Sequence, residues 1–107
     1  MNQIVNAKLG LKGILYGLAP VQAEGTINEF LFYFRARHDE WTFAVSENPE
    51  IDPVDIQFPD SSKQYCFFAQ GQYGLGFESK ASYMDNDTAI KIIENCVSDY
   101  LHGRDER

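Results

Sequence analysis

Between residues 30 and 46 the chain reads FLFYFRARHDEWTFAVS. Phe30, Phe32, Phe34 and Ala36 alternate with Leu31, Tyr33, Arg35 and Arg37, and Trp41, Phe43 and Val45 alternate with Thr42, Ala44 and Ser46. Period-two alternation in aromatic and β-branched residues marks strands, because successive side chains of an extended chain point to opposite faces. A two-residue turn at His38-Asp39 pairs residues whose numbers sum to 77. Ala36 then faces Trp41, Phe34 faces Phe43 and Phe32 faces Val45, so one register puts all six side chains on one face. A four-residue loop from Arg37 to Glu40 keeps the same pairing. A chain with such a hairpin has to bury an aromatic sheet face.

Residues 84–103, MDNDTAIKIIENCVSDYLHG, supply the cover. Ala89, Ile90, Ile93, Cys96, Val97, Tyr100 and Leu101 recur at helical spacing and form a single stripe. Asp85 or Asp87 suits the helix start, where free N–H groups favour a carboxylate, and Gly103 is placed to stop the helix. His102 in the last turn serves the helix dipole better than a metal.

Elsewhere the signals are weaker. Residues 63–70, KQYCFFAQ, read as a third strand, with Tyr65, Phe67 and Ala69 on one face and Cys66 and Phe68 on the other. A turn at 71–73 and a fourth strand at about 74–80 follow. Pro49, Pro53 and Pro59 make residues 47–62 a long loop with a short extended piece at Val54–Phe58. Leu11, Ile14, Leu15 and Leu18 fit a short N-terminal helix at about residues 8–18, ended by Pro20 and weakened by Gly10, Gly13 and Gly17. The expected architecture is α+β: one domain over residues 1–107, with an antiparallel sheet of three to four strands. The C-terminal helix packs on the Phe30/Phe32/Phe34/Trp41/Phe43/Val45 face, and a short N-terminal helix precedes the sheet.

Composition narrows the setting. At 107 residues the chain holds one core. Nine basic against sixteen acidic residues give a net charge of −7. Residues 1–46 balance, whereas residues 47–60 carry Glu47, Glu50, Asp52, Asp55 and Asp60 and no base. Binding to phosphate backbones depends on Lys and Arg, so nucleic acid is a disfavoured partner. No run approaches the about 20 apolar residues of a membrane span, and no signal peptide is visible. Two cysteines, Cys66 and Cys96, thirty residues apart, read as reduced and buried in a cytoplasmic protein.

Catalytic patterns are not found. His38-Asp39-Glu40 sits on a hairpin tip, where no cleft desolvates it. Asp85-Asn86-Asp87 opens like a calcium loop but lacks the rest, and the acidic loop has prolines where calcium loops use glycine. Gly71-Gln72-Tyr73-Gly74-Leu75-Gly76 lacks the Lys-Ser/Thr pair and the helix of a phosphate loop. These patterns assign no catalytic residue, metal or cofactor.

The second face of the hairpin is more informative. Leu31, Tyr33, Arg35 and Arg37 form a basic strip with apolar neighbours on an acidic protein, and Tyr and Arg are enriched at interface hot spots. They are the candidate binding residues. The functional expectation is a small acidic protein-binding module acting stoichiometrically on a protein partner, or on a second copy through the same face. Phage and mobile-element inhibitors and immunity proteins share this profile by analogy. The competing expectation is a small-ligand or enzymatic domain with a pocket between sheet and helix. A further expectation is that, if no partner covers the second face, the N-terminal helix does.

Overall fold

The computed structural model describes residues 2–17, 21–37, 40–56, 66–72 and 84–105. Among the described residues six strands follow one another as an antiparallel meander: β1 (Asn2–Asn6), β2 (Leu11–Tyr16), β3 (Val21–Ile27), β4 (Phe30–Arg37), β5 (Glu40–Ser46) and β6 (Cys66–Gln72). Helix α1 (Asn86–Asp105) covers one face. The α+β class and the C-terminal helix on an antiparallel sheet are as expected, but the sheet has six strands rather than three to four.

The β4–β5 register is the expected one: Ala36 faces Trp41, Phe34 faces Phe43 and Phe32 faces Val45. The turn at His38-Asp39 lies outside the described residues, as does the expected strand at 74–80. Residues 71 and 72 still belong to β6, which pairs with β5.

The short N-terminal helix is absent from the fold. Residues 7–9 form one 3-10 turn, and Leu11–Tyr16 is a strand. Leu11 and Leu15 are buried under α1, and Gly13 lies between them on the same face, opposite Gly25 of β3. The ring of Phe32, which faces Gly25 from β4, reaches over the pair: its Cζ lies 3.0 Å from where a Cβ on Gly13 would stand. Gly13, one of the glycines that weaken a helix, here makes room for a ring. The β3–β4 connection, also unanticipated, is the tight turn Asn28-Glu29, with both residues at positive φ (48° and 80°). That geometry matches the type I′ turn, whose twist suits a hairpin.

One aromatic chain joins sheet to helix. Phe32 stacks on Phe43 (5.7 Å between centroids), Phe43 meets Phe67 edge-on (6.2 Å), and Phe67 meets Tyr100 of α1 edge-on (5.4 Å). Ala89, Ile93, Cys96, Val97 and Tyr100 are buried against the sheet, as their spacing predicts. Asn6 Nδ2 donates to Glu94 Oε2 at 2.8 Å and the Tyr100 hydroxyl donates to Glu47 Oε2, tying α1 to the end of β1 and to the residue that follows β5. Asp85 holds the N-cap position, its carbonyl accepting from Ala89 N–H at 3.0 Å. Gly103 does not stop the helix, which runs on to Asp105; a glycine without a left-handed φ ends nothing by itself.

After β5 the chain folds back across the other face. Ser46 Oγ donates to Asn48 O at 2.8 Å, and Asn48 Oδ1 accepts from Glu50 N–H at 2.9 Å, forming a tight polar turn. Asp52 Oδ1 accepts from Val54 N–H at 3.0 Å and caps a 3-10 turn, Pro53–Asp55, where a short extended piece beginning at Val54 was expected. Pro53 and Ile56 are buried and so are Ala44 and Ser46. This acidic loop, and not an N-terminal helix, covers the β4–β5 end of the second face.

Candidate functional site

The registers place the second face in rows that cross the sheet. One row runs Val5, Lys12, Thr26, Leu31, Ser46. The next runs Gln3, Ile14, Glu24, Tyr33, Ala44, and the third Tyr16, Gln22, Arg35, Thr42. The acidic loop sits over the Ala44 and Ser46 end of the first two rows. What it leaves open is a groove of about 610 Å³, floored by β1–β4 and walled by Asp52, Pro53 and Val54.

The groove gathers the apolar surface. Among the described residues the exposed large hydrophobics are Val5 (66% exposed), Leu31 (48%), Val54 (46%) and Ile14 (42%), and all four border it. Isolated exposed apolar side chains are ordinary; here four border one groove, with Lys12, Glu24 and Thr26 between them.

The expected site residues divide. Leu31 and Tyr33 line the groove. Tyr33 is half-buried and its hydroxyl donates to Gln22 Oε1 at 2.8 Å. Arg35 and Arg37 lie further along β4, outside the groove lining. Arg35 is half-buried, with its Nε buried and unpartnered among the described residues, while Arg37 is exposed. The basic strip is therefore adjacent to the groove and does not form its floor. Lys12 and Ile14 were hidden from sequence reasoning by the helical reading of residues 8–18, and Val5, Glu24 and Thr26 because β1 and β3 were not anticipated. The usable signal was the run of alternating residues on both sides of Asn28-Glu29.

Two phenols stand on this face, Tyr33 in the groove lining and Tyr16 beyond it. Burial pushes the Tyr16 hydroxyl up, and the nearby Glu24 carboxylate and Tyr33 add to the rise. Burial likewise raises Tyr33, with Arg35 opposing and Glu24 reinforcing. Both phenols therefore stay protonated at neutral pH, hydrogen-bond donors rather than bases. Among the described residues no three His, Cys, Asp or Glu side chains stand together as metal ligands, and no helix is long and apolar enough to cross a membrane.

Between sheet and helix the described side chains are closely packed. Phe32, Phe34, Phe43, Ile93 and Val97 pack there with almost no exposure, and the groove lies on the opposite face. Both cysteines are free thiols; Cys96 is buried as expected, but Cys66 is only half-buried, since it lies on the second face of β6. No family model, curated protein or solved structure matches the chain.

Proposed function

We propose that this protein is a binding module that acts stoichiometrically on a protein partner through the sheet face opposite α1. The observation that carries the reading is the convergence of Val5, Ile14, Leu31 and Val54 on one groove. Leu31 and Tyr33 contribute from β4, and Arg35 and Arg37 extend the contact along the same strand as a polar rim. Interfaces combine an apolar centre with a polar rim in this way. The two free thiols suit a reducing compartment such as the cytoplasm.

The test is purification of the tagged full chain from its native host, in parallel with Ile14→Asp and Tyr33→Glu. Both positions are on the groove, so the variants should keep the wild-type circular dichroism and melting temperature. The expected result is a protein retained in equimolar amount by the wild type and lost from both variants. A partner kept by both folded variants, or a small molecule retained in place of a protein, overturns the reading. Sedimentation at several concentrations separates a second copy from a different partner.

A further inference from the structure

The groove carries information about the shape and charge of its occupant. Its floor strands β2 and β3 each pair on both sides, so their backbone groups are committed to the sheet. An occupant lying on this face finds no free backbone group on β2 or β3 to pair with. Its own backbone N–H and C=O groups must be satisfied internally, which a helix does and an extended segment does not. Dimensions agree: β1 to β4 spans three strand spacings, about 14 Å, and a helix with its side chains is about 10–12 Å across.

Charge selects among helices. Glu24 is exposed on the floor, Asp52 forms part of the wall, and Glu50 and Asp55 are exposed beside it. Lys12 is the one base among the lining residues. The described residues 47–56 carry no base, and three of their carboxylates, Glu50, Asp52 and Asp55, are exposed. An anionic occupant would be repelled by this wall. A second copy is disfavoured on the same ground, because it brings together two chains of net charge −7 through a patch that holds Lys12 as its single base.

Resting on the binding-module reading above, we infer that the groove takes a cationic amphipathic helix of the partner protein. Its apolar stripe lies on Ile14, Leu31 and Val54, and its basic flank faces Glu50, Asp52 and Asp55.

The probe is a synthetic amphipathic helix of leucine and lysine, about four turns long, with a leucine–glutamate counterpart of the same pattern. Each is titrated into the isotopically labelled full chain and followed by amide chemical shifts. The expected result is one-to-one binding of the lysine helix, with shifts confined to β1–β4 and residues 50–55. The glutamate helix should bind at least about tenfold more weakly. Glu24→Lys with Asp55→Lys should weaken the lysine helix about fivefold or more, and Ile14→Asp should abolish its binding. Equal affinity for the two helices, or shifts centred on α1, overturns the inference. Concentration-dependent dimerisation through the groove also overturns it, because the occupant is then a second copy. If neither helix binds while Ile14→Asp still loses the co-purified partner, the cationic-helix inference falls and the binding-module reading stands.

Discussion

The indole of Trp41 occupies the space that a side chain on Gly71 would need. The two residues face each other across β5 and β6, and the ring's Cε2 and Nε1 lie 2.6 and 2.7 Å from where a Cβ on Gly71 would be. Phe34 stacks on the same indole at 6.2 Å, so the ring is held within the aromatic packing. Gly71→Ala should therefore push the indole off its seat and cost about 1–3 kcal/mol. Trp41 is the only tryptophan, so urea unfolding followed by fluorescence reads both effects at once. An unchanged spectrum and midpoint would contradict the packing.

Phe34 and Phe43 are fully buried and stand opposite each other at the centre of the sheet. Truncating either to alanine removes a ring from beneath α1 and leaves a cavity. A loss of about 3–5 kcal/mol is expected for each, a large share of a small domain's stability. Thermal unfolding of Phe34→Ala at the wild-type temperature would refute the assigned facing of the hairpin.

Glu29 occupies the second position of the β3–β4 turn at φ 80°, a conformation that glycine adopts without penalty. Asparagine suits the first position, and Asn-Gly is the preferred pair for this turn. Glu29→Gly should stabilise the protein by about 1 kcal/mol. Denaturant midpoints of the two proteins give the sign directly.

Gly103 lies inside α1, and nothing stands within 4 Å of where its Cβ would be. Gly103→Ala should add about 0.5–1 kcal/mol by restricting the unfolded chain without creating a clash. Gly25→Ala is the informative contrast, because a Cβ there would run into the carbonyl of Lys12 and the backbone of Gly13. The first variant should melt above wild type and the second well below it.

Burial, with a smaller contribution from Asp99, pushes the Cys96 thiol up to about 12 from its ordinary 9.0. Above pH 9 the unfolded chain gives up this proton and the folded chain keeps it. Stability is therefore intact below about pH 9 and falls as pH rises toward 12, with the raised Tyr16 and Tyr33 acting in the same direction above pH 10. Melting temperatures between pH 8 and pH 11 should decline, and a thiol reagent at pH 8 should label the half-buried Cys66 well before Cys96. Equal labelling rates would contradict the burial of Cys96.

The central hairpin and α1 were legible because each has a periodicity that only one conformation satisfies. Phe32, Phe34, Phe43, Ile93 and Val97 could be assigned to the core on that ground, and Trp41, half-buried, belongs to the same cluster. The first third of the chain was not legible in the same way. Leu11 and Leu15 are four residues apart, a spacing that fits one face of a helix and one face of a strand equally well. Ile14 tipped the pattern toward a helix, yet in the fold it points to the opposite face from both leucines. What decides the matter is the ring of Phe32 over Gly13 and Gly25, and that contact comes from a strand nearly twenty residues away. The site was half visible for the same reason. Leu31 and Tyr33 lie on the legible strand, whereas Val5, Ile14 and Glu24 lie on strands that only their partners define.

All six strands precede the helix that closes their aromatic face. A ribosome therefore delivers Phe32, Phe34, Trp41, Phe43 and Phe67 before any of the side chains that will cover them. Neighbouring strands can pair as they emerge, because each joins the one made just before it. The resulting sheet then waits with its greasy side bare until residues 89–100 arrive. During that interval the nascent chain exposes the surface that chaperones hold and that aggregation exploits. The contact between Asn6 and Glu94, 88 residues apart, locks β1 to the helix that is made after β6.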